Sequence, residues 1–312
     1  MVTSAGYPLL VIAGPTASGK TALALALAEA LNCEIISCDS VAVYRGMDIG
    51  SAKPSAAEQA RVRHHCLDLF DPNQPCTAGD YARAARAALA DIRSRNRLSI
   101  VAGGTGLYLR AFLEGLAPAP PRDEALRQSL RAEASTPNAL HDKLQQLDPA
   151  AAALIHPNDT PKLIRSLEVS LLASEPQTQQ WQAGRDPLTG YSTLQLGLNP
   201  PRAELYARIN QRAAAMFTRG ILEETAAIRH QYGDDTRTLT TLGYAQALAV
   251  LRNEIPLEEA ITRAQQGHRN YAKRQLTWFR RDPTIHWLPA FGDDPATQQQ
   301  ALSLTRTHLT VP

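Results

Sequence analysis

GPTASGKT, from Gly14 to Thr21, is the stretch that decides the fold of this 312-residue chain. It meets every position of the phosphate-binding P-loop pattern, G-x-x-x-x-G-K-[ST]. A short apolar run, PLLVIA from Pro8 to Ala13, precedes it, and the helical pattern TALALALAEAL follows it. The order strand, loop, helix is the context in which this pattern cradles phosphate groups. The competing interpretation, a chance glycine turn before a buried helix, requires an accidental match at every position.

The residue types of this loop suit an anion. Gly14 and Gly19 let the backbone approach phosphate oxygens closely, and the loop amides and the helix dipole favour negative charge there. We expect Lys20 to supply a positive charge and the Thr21 hydroxyl to ligate Mg²⁺, the expected cofactor. The predicted phosphate-binding residues are Gly14, Pro15, Thr16, Ala17, Ser18, Gly19, Lys20 and Thr21.

The sequence after the P-loop does not resemble that of a typical P-loop ATPase or GTPase, in which an apolar strand ends in a Mg²⁺-orienting aspartate. The best candidate strand, LSIVA from Leu98, runs instead into the glycine-rich GGTGLY from Gly103 to Tyr108. A carboxylate follows the second predicted strand, EIISC, at Asp39. We therefore expect a diphosphate compound to be the donor, with ATP at best competing for the phosphate site.

Composition sets the class of protein. With 44% hydrophobic residues the chain can bury a full core, and a net charge of +2 leaves any nucleic-acid site to local clustering of charge. Cys33, Cys38, Cys66 and Cys76 show no zinc-binding spacing and are expected to be free thiols. No export signal or membrane span is evident, so we expect a soluble, monomeric, cytoplasmic protein with no membrane partner.

Alternating apolar strands and alanine-rich helical patterns predict an α/β fold with a P-loop NTPase-like parallel sheet. The loops after its strands should converge at one edge. A proline-rich stretch, APAPPR from Ala117, then opens a helical section, and a strand from Ser192 returns to the sheet. We expect residues 1–117 and 191–312 to form the core domain and residues 118–190 a helical insertion domain. Residues 293–312 carry no structural signal.

A basic and aromatic segment, HRNYAKRQLTWFRRD, runs from His268 to Asp282. On a helix Arg269, Lys273 and Arg280 fall within about 40° of one another. Tyr271 and Trp278 then lie near the opposite side. Such a helix could track phosphates and stack unpaired bases, or it could be a solvated charged face whose aromatic side chains belong to the core.

Taken together, these motifs resemble the tRNA dimethylallyltransferases, also called tRNA isopentenyltransferases. The resemblance covers most of the chain and rests on the P-loop and on six further segments. These segments are DSVAVYRGMDIGSAKP from Asp39, HHCLD from His64, AGGTGLYLRAFLEGL from Ala102, HPNDTPKLIRSLEV from His156, TLGY from Thr241 and RNYAKRQLTWFR from Arg269.

The resemblance implies Mg²⁺-dependent transfer of a dimethylallyl group from dimethylallyl diphosphate to tRNA. The acceptor would be the exocyclic amine of the adenosine 3′ to the anticodon, and diphosphate would be released. Asp39 matches the family's general base, Thr105 lies between diphosphate and adenine, and Lys20 completes the expected catalytic set. His64 and His65 have no chemical role that we can derive.

The resemblance also implies contacts with tRNA, and Arg127 aligns less securely than the rest. The residues concerned are Asp39, Ser40, Val41, Ala42, Thr105, Arg127, Pro161, Lys162, Leu163, Ile164, Arg165, Thr240, Thr241, Leu242, Gly243, Tyr244, Ala245, Lys273, Arg274, Gln275, Leu276, Thr277, Trp278, Phe279 and Arg280.

Two other functions remain open from the residues themselves. One is a small-molecule enzyme of the same architecture, either a nucleotide kinase or a prenyltransferase acting on free adenine nucleotides. The basic segment and the long insertion argue against it, because a mononucleotide needs neither. The other is a P-loop switch or RNA-binding module without catalysis, which the presence of Asp39 and the absent strand-end aspartate disfavour.

Overall fold

The computed structural model describes residues 6–182 and 184–310 of the chain. The described residues divide into two compact units, one within 1–113 and 188–312 and the other within 114–187. The sequence places the insertion domain at residues 118–190. The larger unit carries the sheet and the P-loop.

The secondary structure elements follow one another as an α/β chain with an all-helical middle section. The strands are β1 Tyr7–Ala13, β2 Cys33–Cys38, β3 His64–His65, β4 Leu98–Gly103, β5 Tyr191–Leu198 and β6 His286–Leu288. The helices are α1 Lys20–Leu31, α2 Ala56–Arg61, α3 Ala78–Ser94, α4 Gly106–Glu114, α5 Glu124–Glu133, α6 Ala139–Leu147, α7 Pro149–Leu154, α8 Thr160–Ala173, α9 Gln177–Gln182, α10 Arg202–Thr218, α11 Ile221–Tyr232, α12 Tyr244–Leu251, α13 Leu257–Phe279 and α14 Pro295–Thr310, with a 3-10 helix at Arg237–Thr240.

The six strands form one parallel sheet in the order β3-β2-β4-β1-β5-β6. The predicted α/β fold with a parallel sheet is thus confirmed. The register places Gly103 at the end of β4 beside Ala13 of β1 on one side and Cys38 of β2 on the other. Three central strands therefore end level with one another, and the loops that follow them start at the same edge.

Both faces of the sheet are buried, as a parallel sheet requires. Along β1, Leu9 and Val11 contribute to the core that contains α3, α12 and α13. Leu10 and Ile12 point to the opposite face, where α1 and α14 cover them. This continuous apolar run explains why PLLVIA indicates a buried strand from the sequence alone.

The smaller unit has a core of its own, made by aliphatic side chains of α5 to α8. Glu168 of α8 lies fully buried beneath it and accepts a hydrogen bond from the Asp123 amide at 2.9 Å. Two arginines neutralise this carboxylate, Arg165 at 2.6 Å and Arg127 at 3.2 Å. A buried carboxylate needs such partners, because desolvation strongly penalises an unpaired charge.

The sequence predicted no secondary structure for residues 293–312, but the structure shows a helix there. Residues 295–310 form α14, which buries Thr297, Ala301 and Thr305. Small and hydroxyl-bearing residues make this face apolar enough to pack without producing an evident hydrophobic pattern, and each threonine satisfies its hydroxyl locally. Short strands β3 and β6 also went unpredicted, since two or three residues show no periodicity.

A buried ion pair closes the amino-terminal end of β2, far from the loops that follow the strands. The side chain of Glu34 is only 2% exposed and hydrogen bonds to Arg95 Nη2 at 2.9 Å and His65 Nε2 at 2.7 Å. Hydrogen bonds from Arg95, and then from His65, lower the pKa of Glu34 to about 2, against the opposing effect of burial. His65 is thus a structural partner of Glu34.

We expect Glu34→Gln to lower the free energy of unfolding near pH 7 by about 1 to 3 kcal/mol, since the full pKa shift from 4.5 sets the upper end and solvent screening at the exposed arginines reduces it. Because the folded pKa is depressed, the wild-type advantage exists above about pH 4.5 and disappears as pH falls toward 2. Urea unfolding of both proteins at several pH values measures it. Glu29→Gln, which removes an exposed pair with Arg61, should change stability by less than about 1 kcal/mol. A pH-independent difference between Glu34→Gln and wild type would contradict this assignment.

Candidate active site

The loops after β1, β2 and β4 meet at one edge of the sheet. The Thr105 amide donates to the Cys38 carbonyl oxygen at 3.3 Å, and the Ser40 amide donates to Thr105 Oγ1 at 3.1 Å. A Cβ at Gly103 would lie 2.0 Å from the Cys38 carbonyl oxygen, so only glycine fits between the strands there. Gly103 thus serves close packing of the strands, and Thr105 faces the Asp39 loop.

The P-loop has the backbone conformation that its glycines imply. Gly19 precedes α1 in a left-handed conformation, with φ of 88°. A Cβ at that position would approach the Gly292 amide nitrogen to 2.7 Å, and the Gly292 amide donates to the Ser18 carbonyl oxygen at 2.9 Å. The segment between β6 and α14 therefore packs directly on the P-loop, a contact that the sequence does not signal.

Lys20 sits in an environment that disfavours its charge while no anion is present. Its Nζ donates to the Pro15 carbonyl oxygen at 2.6 Å. Burial, followed by the positive charge of Arg212, lowers the pKa of Lys20 to about 7, although nearby Asp39 acts in the opposite direction. A phosphate ligand would reverse the penalty, because it would supply the negative charge that two close cations lack.

Arg212 of α10 is a site residue that sequence reasoning missed. Its Nη2 donates to Thr16 Oγ1 at 2.6 Å, which brings the guanidinium to the P-loop. Burial is the main cause that lowers the pKa of Arg212, and Asp39 partly compensates. Nothing in the local pattern of α10 marks this arginine, since it stands on an ordinary amphipathic helix 196 residues after Thr16.

Asp39 has one carboxylate oxygen committed to its own loop. Oδ1 accepts from the amides of Val41 at 2.8 Å and Ala42 at 3.1 Å. The carboxylate therefore caps the loop, and it is oriented by the same contacts. Asp39 lines the cleft together with Lys20 and Arg212, so the second oxygen remains available for a proton acceptor role.

Tyr271 of α13 lines the same cleft as Asp39. Burial, and then the negative charge of Asp39, raises the pKa of Tyr271 to about 12, while the Thr105 side chain acts in the opposite direction. Tyr271 thus stays protonated and can donate a hydrogen bond beside the proposed base. The sequence indicated an aromatic face at this position without placing it in the cleft.

A cleft of about 710 Å³, including its open mouth, runs from the P-loop along the face of β2. Its walls combine charged side chains with small and apolar ones. The lining residues are Thr16, Lys20, Thr21, Ala24, Ile35, Ser37, Asp39, Ala42, Ser51, Ala52, Lys53, Pro54, His64, Ala102, Gly103, Gly104, Arg212, Tyr271 and Gln275. Cationic side chains beside small and apolar ones suit a molecule with a diphosphate and a hydrocarbon part.

Comparison with known proteins identifies the family. The family model described as IPP transferase matches residues 42–282. The tRNA dimethylallyltransferase of Koribacter versatilis is 54% identical over 96% of this chain and 98% of its own length. That of Solibacter usitatus is 49% identical over 95% and 97%, respectively. The chain belongs to the IPP transferase family.

The likeness extends to three dimensions. The crystal structure of the tRNA isopentenylpyrophosphate transferase of Bacillus halodurans is 37% identical to this chain. It superimposes with a TM-score of 0.72 and covers 97% of this chain and 96% of its own. The resemblance inferred from the motifs is confirmed at the level of family and fold.

The family's expected tRNA contacts in the larger unit occupy several environments. Asp39 to Ala42 and Thr105 line or flank the cleft, and Thr240 is exposed. Tyr244 is fully buried instead, and its hydroxyl donates to Glu224 Oε1 at 2.5 Å. Its side chain is therefore a support for the loop at residues 48–50, whose amides bind the same carboxylate.

Helix α13 presents some of its expected contacts and buries others. Lys273, Arg274 and Arg280 are exposed, and among the described residues none of them forms an ion pair with a carboxylate. Trp278 is partly exposed, with Arg110 stacked 5.0 Å from its ring centroid. Phe279 is buried in the main core, so its side chain offers no surface to tRNA.

In the smaller unit the expected contacts are likewise divided. Lys162 is exposed beside Asp159, the residue that caps α8. Leu163 and Ile164 belong to the core, and their side chains are not accessible. The side chains of Arg127 and Arg165 are held by Glu168, as described above, so a structural role accounts for Arg127 without any tRNA contact. The role of these residues in tRNA binding stays a prediction.

The part of the chain described by the structure contains no cluster of three or more His, Cys, Asp or Glu side chains able to hold a metal ion. Over the same residues, no helix is both long and apolar enough to cross a bilayer.

The lowered pKa of Lys20 predicts how the affinity for diphosphate changes with pH. Because its pKa in the free protein is near 7, binding of inorganic diphosphate must restore a proton to Lys20 at higher pH. We expect the ratio of wild-type to Lys20→Met affinity to be highest below about pH 7. Above it, the ratio should fall by up to about tenfold per pH unit. Taking the ratio removes the titration of diphosphate itself. Calorimetric titrations across this range measure it, and a ratio that does not change with pH would refute the assignment.

Proposed function

We propose that this protein is a tRNA dimethylallyltransferase. It transfers a dimethylallyl group from dimethylallyl diphosphate to the exocyclic amine of the adenosine 3′ to the anticodon and releases diphosphate. The observation that carries the proposal is the convergence of a cationic P-loop and the Asp39 carboxylate on one cleft, in a member of the IPP transferase family. An anion site and a base face each other there.

Lys20 and Arg212 serve the leaving group. As the bond between the allylic carbon and the diphosphate oxygen breaks, negative charge accumulates on the diphosphate. Two cations at the P-loop, with the loop amides and the α1 dipole, stabilise that charge in the transition state more than in the ground state. Lys20 would exchange its bond to the Pro15 carbonyl for a diphosphate oxygen.

Asp39 serves the acceptor. The adenine amine is a poor nucleophile and must lose a proton as it attacks the allylic carbon, so one positioned carboxylate suffices. Loop amides fix one oxygen of Asp39, which leaves the other to receive the proton. The Thr105 hydroxyl accepts a hydrogen bond from the Ser40 amide and so holds the loop that carries Asp39.

The arrangement fits a Mg²⁺ ion bound jointly by the protein and the diphosphate of the donor. The Thr21 hydroxyl lines the cleft at the start of α1, and Mg²⁺ usually takes one or two protein ligands together with phosphate oxygens and waters. When bound, the ion would neutralise part of the charge on the diphosphate. The missing strand-end aspartate leaves ATP as a competitor for the phosphate site only.

The tRNA would be bound by unpaired cations and by stacking. Three exposed cations on α13 and at its C-terminal cap are positioned to neutralise phosphates, namely Lys273, Arg274 and Arg280. Trp278 offers a face to an unpaired base. An adenosine beside the anticodon can be unstacked into a cleft of this kind. We place the enzyme in the cytoplasm, where its substrate is found, and propose that it acts as a monomer.

The decisive experiment is transfer itself. Purified protein incubated with unmodified tRNA, dimethylallyl diphosphate and Mg²⁺ should yield a prenylated adenosine, detected by mass spectrometry of the tRNA nucleosides. Free adenosine monophosphate serves as the alternative acceptor. Prenylation of the mononucleotide alone would favour the small-molecule enzyme, and ATP turnover without prenyl transfer would overturn the proposal.

Asp39→Asn should separate the two roles of this side chain. The amide oxygen can still accept from the Val41 and Ala42 amides, while the base is lost. We expect turnover to fall by roughly a hundred- to ten-thousandfold, with nearly unchanged melting temperature and tRNA affinity. Asp39→Ala removes the cap as well and should melt earlier. Turnover in Asp39→Asn equal to wild type would exclude Asp39 as the base.

Lys273→Ala/Arg280→Ala should reduce the dependence of tRNA binding on salt. Each lost phosphate contact lowers the slope of log affinity against log salt by roughly 0.7 to 0.9, so the double variant should lose about 1.5 units. Arg306→Ala, an exposed arginine of α14, is the matched control and should keep the slope. Fluorescence titrations at several salt concentrations, with thermal melts, measure this. An unchanged slope in the folded double variant would show that α13 is only a solvated face.

A further inference from the structure

Gln275 of α13 joins two loops of the cleft from the inside. Its Oε1 accepts from the Thr16 amide at 2.8 Å, and its Nε2 donates to the Gly104 carbonyl oxygen at 2.9 Å. Thr16 belongs to the P-loop, and Gly104 immediately precedes Thr105. Only 6% of Gln275 is exposed, so these two bonds are shielded from water.

A carboxamide matches this position chemically. One loop presents a donor and the other an acceptor, and a glutamine side chain carries both an acceptor and a donor at its end. An ionised carboxylate of the same shape could accept from Thr16 but would repel the Gly104 carbonyl oxygen. An aliphatic side chain would leave both buried backbone groups without a partner, which is costly.

The glycine-rich loop is shaped around this helix. A Cβ at Gly104 would lie 2.2 Å from Gln275 Nε2, and one at Gly106 would lie 2.2 Å from Trp278 Cδ1. Tyr271, one turn earlier on α13, lines the same cleft. Side chains at successive turns of α13 therefore sit directly on the GGTG stretch, and Gln275 extends this contact to the P-loop.

We propose that Gln275 is a positioning residue that sets the spacing between the donor loop and the acceptor loop. This inference rests on the proposed function. The P-loop would hold the diphosphate, and the segment at Thr105 would hold the adenine beside Asp39. Because the bridge ties Thr16 to Gly104, it fixes how far the allylic carbon stands from the attacking amine. The resemblance to the family implied a tRNA contact for Gln275, whereas its burial and partners assign it to the interior of the site.

Such a role predicts a separation of rate from binding. When the bridge is lost, each substrate can still bind to its own loop, but the distance between the two loops is no longer fixed. Misplacement of reacting groups by about 1 Å can cost on the order of a hundredfold in rate. We therefore expect Gln275→Leu to lower the single-turnover rate at saturating tRNA and dimethylallyl diphosphate by about ten- to a hundredfold. Dissociation constants for tRNA and for inorganic diphosphate should change less than about threefold.

Gln275→Glu supplies a second, nearly isosteric variant with a distinct signature. A protonated carboxyl group restores both the donor and the acceptor, whereas the ionised form does not. Burial beside a carbonyl oxygen raises the pKa of such a carboxyl group. The single-turnover rate of Gln275→Glu relative to wild type should thus rise as pH falls from about 8 to 6.

Gln265→Leu is the matched control. Gln265 lies on the same helix and donates to the Asn210 carbonyl oxygen at 3.2 Å, away from the cleft. It should retain the wild-type rate and pH profile. Melting temperatures of all three variants separate a loss of rate from a loss of folding.

The outcomes are distinct. A wild-type protein that prenylates tRNA while Gln275→Leu does so at the same rate would overturn the inference alone. A loss confined to the dissociation constants, or a pH-independent ratio for Gln275→Glu, would also overturn it. A wild-type protein that forms no prenylated adenosine would overturn the proposed function and this inference together.

Discussion

The level ending of β2, β4 and β1 is the constraint on which the rest of this structure depends. Gly103 stands beside Cys38 on one side and Ala13 on the other, so the loops that follow these strands begin at the same height. Parallel register alone thus brings Asp39, Thr105 and the P-loop to one edge. Without a side chain at Gly103 the strands approach closely enough for Thr105 to contact the Asp39 loop.

The charges at this edge of the sheet then favour binding of an anion. Two cations, Lys20 and Arg212, are desolvated together. Burial, and then the positive charge of Arg212, lowers the pKa of the lysine to about 7. Asp39 compensates only in part, so the free cleft is short of negative charge. An incoming diphosphate supplies it. The site is therefore complementary to an anion that gains charge as a bond breaks.

Helix α13 connects this chemistry to the surface. Its inner side chains, Tyr271 and Gln275, line the cleft, while Lys273 and Arg280 remain in solvent without a carboxylate partner among the described residues. Angular spacing on a helix of 3.6 residues per turn predicted the outer cations. It could not show which inner residues touch the P-loop, because that contact joins residues 259 positions apart.

Five features could be predicted from the sequence, namely the sheet, its principal strands, the P-loop, Asp39 and the family. Strong local signals made this possible, namely apolar runs, glycines and a loop whose function depends on consecutive residues. Only the tertiary structure showed Arg212 at Thr16, the packing of Gly292 on the P-loop, helix α14 and the Gln275 bridge. Each of these depends on distant segments meeting through packing, and no periodicity within a short window records which partner a side chain will find. The burial of Phe279 and Tyr244 could not be predicted for the same reason, because a local motif does not show which of its side chains will face solvent.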